Sequence, residues 1–498
     1  MRFGLITLLI VLALLGALQP DTYYVTTSGR GDFVYRTLEG AIAAAKPGST
    51  IEVKPGVYTV NVVIEKPLWI RAGGEAPVII RAADPGLPVL KVLADNVRIS
   101  GLTLEGGAVG IAVEGRNCRL RENTIRRSKV GVLLQGAQAQ GCLIRGNIIA
   151  EVETGIALQG AAGNTLAANE VAANRGIVLD NADGNLLVEN HLSGGETGFL
   201  LTHAEQNELK ANLVEGSEVG LIFDHAPGNF LHENSFSGNQ ELLRVVGEEV
   251  DNWVQRFEGN TVDGRAIYYL VEAEDLALDA TANVGYVVLV RCRGVALTGL
   301  NLQRAGIAVI ASEGVTIRGV RISGAERAIY LWKTHNSLIE ASTINGARFG
   351  IVLRESSADI VSGNQVEGSE VGLLVEGGGG HLVEGNEVRA SAQHGIALHS
   401  SNNNKLRGNT VSDSGQYGIL VENSQQNLLE GNSVAGSWVG IFLQGAMANE
   451  LQGNEVRENN YGIYLANSKG NHLAGNILED NSRADLGGAL EGNKVEVE

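Results

Sequence analysis

The sequence predicts an all-β fold, a single-stranded right-handed parallel β-helix, and three observations carry the prediction. First, the C-terminal part repeats in register from Asn404: NKLRGNTVSDSGQYGILVENSQQ, NLLEGNSVAGSWVGIFLQGAMA, NELQGNEVRENNYGIYLANSKG, NHLAGN. Each unit opens with an Asn and has a second Asn five residues later, at Asn409, Asn432, Asn454 and Asn476, in steps of 23, 22 and 22 residues. A fixed period of this size marks a solenoid. Second, the apolar residues come in short bursts of period two, as in Ile419-Leu420-Val421, which is strand chemistry and not the spacing of a helical face. Third, Gly and Asn punctuate the bursts. Asn tolerates left-handed backbone at a sharp corner, and its amide can bond to the same amide one coil away. Each unit is then one coil of two or three strands, stacked about 4.8 Å from the next.

Taken in order, residues 1–20 read as a secretory signal, with Arg2 as the positive start, an apolar run from Leu5 to Leu18 and the small residue Ala17 near a cleavage point. That run is shorter than the roughly 20 residues a membrane span needs, so the mature chain is expected to be exported, periplasmic or extracellular, with no membrane span. Asp21 to Ala72 form an N-terminal cap: a strand at Tyr23–Thr26, a short apolar-faced helix at Leu38–Ala45, then strands turned by Pro47-Gly48 and Pro55-Gly56. A helix there has a physical task, because an open β-helix end exposes core and unpaired strand edges. The regular ladder begins at Asn123 and continues through Asn147, Asn169, Asn190, Asn212, Asn234 and Asn260. It is interrupted by an irregular excursion, about 240–286, and resumes at Val287. Residues 21–498 are expected to be one continuous solenoid, with Leu490–Val497 supplying a last partial strand.

Composition agrees with this. A formal charge of −18 disfavours nucleic acid as a partner. Aromatic residues at 5% and 66 Gly suit thin strands and tight corners.

The segment KPGSTIEVKPGVYTVNVVIEKPLWIRA (Lys46–Ala72), the GN-x-V/I-x-x-S-x-x-G-I-x-L units and the central GNTVDGRAIYYL (Gly259–Leu270) resemble the NosD-like right-handed β-helix repeat proteins. These belong to a wider superfamily of carbohydrate-binding and sugar-hydrolase β-helices, and the match spans nearly the whole mature chain. The resemblance implies an exported scaffold. In the type member, this is a periplasmic component acting with an ABC transporter in maturing a metalloenzyme copper site. It implies a partner protein, the transporter or the metalloenzyme, or else a carbohydrate. Two alternatives stand beside it: a polysaccharide lyase or glycoside hydrolase, and a passive surface or adhesion protein.

Several residues are candidate sites. In the Gly-aliphatic-x-aliphatic-x strand, positions two and four point inward and position three faces out. Position three carries Val178, Leu200 and Ile222, and later Tyr330, Val352, Phe442 and Tyr464, an apolar stripe readable as a docking surface or as ordinary strand composition under covering side chains. Tyr417, Trp438, Phe442, Tyr461 and Tyr464 form an aromatic group that could receive a partner protein or a sugar face or simply cap the stack. The corner Asp180, His203, Asp224 and His225 is the one polar constellation suited to acid–base work, with its two carboxylates two coils apart; a solvated corner is the plainer reading. Only Met1 and Met447 occur, and the nine His are scattered, so no metal motif or cofactor site is legible. Cys118 and Cys142 fill the slot of the first Asn in adjacent coils. They are expected to be nearest neighbours, either as a disulfide or as stacked thiols, with Cys292 unpaired.

Overall fold

The computed structural model describes residues 21–29 and 31–496; the segment read as a secretory signal lies outside them. The chain divides into two compact units, one ending at Gly247 and the other beginning at Glu248. Each is a stack of parallel β coils, and each coil contributes three short strands.

In the first unit, the cap begins with the strand Thr22–Val25, paired in parallel with Thr50–Val53. The helix Leu38–Ala44 is capped by Thr37, whose Oγ1 accepts from the Gly40 N–H at 3.2 Å. At its other end, Lys66 Nζ donates to the carbonyls of Ile42, Ala43 and Ala45, which suits the negative end of a helix. Leu38, Ala41 and Ile42 are buried beneath it. Beyond the cap, Arg98–Ser100, Arg119–Arg121 and Leu143–Arg145 illustrate one column of strands, paired without slippage. The inward side chains are fully buried, as with Ile99, Leu120 and Ile144 at 0% exposure. A register slip of one residue would turn each of these to solvent, so the alternating pattern fixes the stacking.

The second unit repeats this plan after a different start. A 3-10 turn at Val250–Trp253 and an antiparallel hairpin joining Thr261–Val262 to Arg265–Val271 lead into parallel coils. These end with the strand Lys494–Glu496, paired with His472–Ala474.

Both units are tied by buried Asn ladders. In the first, Asn147, Asn169, Asn190 and Asn212 each donate from Nδ2 to Oδ1 of the Asn one coil on, at 2.9–3.0 Å. In the second, Asn364, Asn386, Asn409, Asn432 and Asn454 do the same, with Asn476 the last acceptor. The expectation of left-handed backbone at the ladder Asn needs correction. It is the preceding residue that is left-handed: Glu122 (φ 54°), Ala168 (50°), Glu189 (55°) and Ala211 (50°). That residue turns the corner, which leaves the Asn side chain free to lie inward along the stack.

The recurring Gly of each Gly-aliphatic-x-aliphatic strand has a packing cause. A Cβ on Gly440 would lie 2.3 Å from Val456 Cγ1 and 2.9 Å from the Gly462 carbonyl. Gly440→Ala is therefore expected to destabilise the second unit by about 1–3 kcal/mol, the range for overpacking a filled core, measured as a lowered denaturant midpoint at an unchanged m-value. An unaltered midpoint would mean that the coil has room to spread.

Candidate functional site

The position-three residues form continuous outward rows. In the first unit, Val178 pairs with Leu200 and Leu200 with Ile222, and all three are half-buried while their inward neighbours Leu179, Leu201 and Phe223 are fully buried. The row ends against Arg244.

In the second unit, the row starts under cover. Val288, Ala308 and Tyr330 are only 0%, 4% and 7% exposed. Here Trp253 lies beside Tyr330 at 6.4 Å, Arg291 pairs with Asp251, and Lys333 Nζ donates to the Glu248 carbonyl. The excursion thus holds the segment from Glu248 to Trp253 over the first coils of this face. Farther on, Val371, Ala397, Leu420, Val439 and Phe442 make a separate apolar cluster on the outer face, packed by Tyr417, Tyr461 and Tyr464. Its rings are layered: His394 stacks on Tyr417 at 5.1 Å, Tyr417 meets Phe442 at 4.7 Å, and Phe442 meets Tyr464 at 5.9 Å. Trp438 is the most exposed member, at 44%, with the Arg483 guanidinium 4.6 Å from its ring centre and Tyr461 edge-on. Phe442 is buried by these neighbours at 9%, so it supports the surface more than it presents one.

The polar corner lies on the first unit. Asp180, Thr202 and Asp224 occupy one row, so the two carboxylates are two rungs apart. His203 and His225 stack with ring centres 5.3 Å apart. Each carboxylate is engaged by its own neighbour: Asn181 Nδ2 donates to Asp180 at 2.7 Å, and His225 Nδ1 lies 2.8 Å from Asp224 Oδ1.

Cys118 and Cys142 are buried free thiols, and both reach the Gly115 carbonyl, Cys118 Sγ at 3.6 Å and Cys142 Sγ at 3.4 Å. Their strands run in parallel register, Arg119 opposite Leu143. Cys292 is also buried and free, and burial pushes its thiol up.

One buried pair escaped the sequence reading. Asp359 and His381 occupy the slot that Asn404 and Asn427 fill in later coils, in steps of 22 and 23 residues. Both side chains are 0% exposed. Asp359 accepts from the Ser337 N–H at 2.8 Å and from Thr334 Oγ1 at 3.2 Å, while its own N–H donates to His381 Nδ1. Burial pushes Asp359 up to about 6 and His381 down to about 4. The repeat arithmetic could have found them, since both stand where Asn is due.

The sequence matches the family described as periplasmic copper-binding protein (NosD) over residues 77–268, 258–437 and 371–489. The chain belongs to the NosD family. A cell surface glycoprotein of Methanothermus fervidus is 36% identical over 84 residues, which is 17% of this chain and 14% of that protein; the chain thus spans only a small part of that relative's length. Among solved structures, the DFA-IIIase of Arthrobacter chlorophenolicus without its lid is 14% identical, with a TM-score of 0.37, covering 80% of this chain and 95% of that one. A PL6 family alginate lyase is 11% identical, with a TM-score of 0.31, covering 96% and 100%. Copper, which the family description names, finds no fitting donor set among the described residues of this NosD-family chain. Among the described residues, no group of three or more His, Cys, Asp or Glu could hold a metal ion. Met447 lies exposed on the surface while the thiols are buried, although soft copper sites gather such ligands. No described helix is long and apolar enough to cross a membrane.

Proposed function

We propose that this NosD-family protein is an exported scaffold that docks a partner protein on the outer apolar rows of its coils and carries out no catalysis itself. The observation that carries the reading is the half-buried row Val178–Leu200–Ile222, together with the aromatic cluster of the second unit. Both are apolar surfaces set on stiff strands, which hold a docking face in place with little ordering to be done on binding. The family membership supports a partner drawn from periplasmic metalloenzyme maturation, an ABC transporter component or the copper enzyme itself. The absence of a fitting copper donor set among the described residues favours assembly over metal carriage. Catalysis on a glycan has weaker support, because Asp180 and Asp224 are each engaged by a neighbouring side chain.

The test is co-purification from native periplasm with quantitative mass spectrometry. The wild type is expected to retain a metalloenzyme or transporter component, and Leu200→Asp with Ile222→Asp is expected to lower that recovery about tenfold or more, as when an apolar anchor is lost. Equal recovery by the variant, or depolymerisation of a polysaccharide that Asp224→Asn stops, would overturn the reading.

A further inference from the structure

On a different row of strands in the first unit, Arg98 lies directly opposite Arg119, and Arg121 directly opposite Arg145. Arg119 and Arg121 are two apart on one strand and so share its outer face. All four are exposed. Among the described residues none has a carboxylate within ion-pair distance, whereas nearby Arg71 pairs with Glu52 and Arg126 with Glu105. Like charges directly opposite on a ladder are destabilising, and this protein carries 56 acidic residues that could have relieved them. Nothing in the fold requires Arg here, since later coils place Thr165, Leu186 and Glu208 in the Arg98 row.

One coil earlier the same row carries Trp69, which pairs with Arg98 and is 37% exposed. Its ring is held by the Arg71 guanidinium, 5.1 Å from the ring centre, and by Nε1 donating to Ser100 Oγ at 3.4 Å. A pinned, partly open indole thus continues a line of unpaired guanidinium groups that advances one rung, about 4.8 Å, per coil. We propose that this face binds a linear anionic polysaccharide laid along the stack, with its carboxylate or sulfate groups on Arg98, Arg119, Arg121 and Arg145 and one sugar ring against Trp69. Guanidinium forks suit carboxylate and sulfate oxygens, and an aromatic face suits the apolar face of a sugar. A lipid surface fits less well: the aliphatic residues of the row, Leu143 and Leu186, are half-buried, and the indole is tied down, so little is available to insert.

The experiment is affinity electrophoresis of the purified protein through gels containing polygalacturonate, heparin or neutral dextran, with sedimentation on vesicles of anionic phosphatidylglycerol and zwitterionic phosphatidylcholine alongside. Retardation by an anionic polysaccharide and not by dextran is expected, weakening with salt. The variant R98Q/R119Q/R121Q/R145Q is expected to lose about tenfold or more in affinity, the scale of several charge-assisted contacts. Trp69→Ala is expected to lose about three- to tenfold while its retention on a plain cation exchanger is unchanged. Thermal unfolding of the quadruple variant controls for folding, with a midpoint expected at or above that of the wild type. No retardation by either polyanion, equal retardation of the quadruple variant, or capture by anionic vesicles with no polysaccharide binding would each overturn the proposal.

Discussion

Asp359→Asn is expected to stabilise the protein at pH 7 by about 3 kcal/mol, the equivalent of roughly two pKa units. Burial pushes Asp359 up to about 6, against an ordinary value of about 3.9 in an unfolded chain. The folded state therefore holds its proton more tightly than the unfolded state. Above pH 6 the fold carries the full cost of a buried carboxylate. As pH falls from about 6 to about 4 that cost disappears, and the advantage of the Asn variant should disappear with it. An Asn at 359 can still accept from the Ser337 N–H, which now donates to Asp359 Oδ1, and its amide faces Thr334 Oγ1. His381 carries the opposite sign. Burial holds it down at about 4, so the unfolded state binds its proton more tightly and wild-type stability declines as pH drops from about 6.5 toward 4. Urea unfolding from pH 4 to 8 measures both effects; a gain for Asp359→Asn that is independent of pH would show that ionisation is not its source.

Asn432→Ala is expected to cost about 3–5 kcal/mol, since several buried partners lose their bonds at once and each stranded group costs about 1–3 kcal/mol. Asn432 Oδ1 accepts from both the backbone N–H and Nδ2 of Asn409, and its Nδ2 donates to the Leu406 carbonyl and to Asn454 Oδ1. Its exposure is 0%, so water cannot substitute. The check is the denaturant midpoint of the second unit's transition beside that of the exposed control Asn403→Ala. Equal midpoints would mean that the ladder is ornamental to stability.

The coil plan was legible because burial and hydrogen bonding repeat with the sequence. Ile99, Leu120 and Ile144 face inward at one register position in successive coils, and the Asn at each corner bonds to its counterpart. The corner conformation was not legible, because the left-handed position is taken by residues as different as Glu122, Ala168 and Ala211; its constraint comes from the inward Asn that follows it. The covered start of the second unit's outer row was hidden for another reason. Tyr330 is met by chain that precedes it at Trp253, a contact that a periodic pattern does not encode. The Arg face of the first unit was equally hidden, because rung partners such as Arg98 and Arg119 lie 21 residues apart and a charge count averages them into an acidic whole. Of the candidate sites, the outward row at Leu200 and Ile222 followed from alternation alone, whereas nothing in alternation says what binds there.

The most direct measurement of the docking claim is site-specific photo-crosslinking in intact cells, with a photoreactive amino acid placed in turn at Ile222, at Trp438 and at the inward control Leu221. Discrete protein adducts from Ile222 or Trp438, shared between independent preparations and lacking at Leu221, are the predicted result, with the adduct partner a transporter component or a periplasmic metalloenzyme. Adducts to glycan alone, or no adduct from either outward position in a folded and exported protein, would contradict the account.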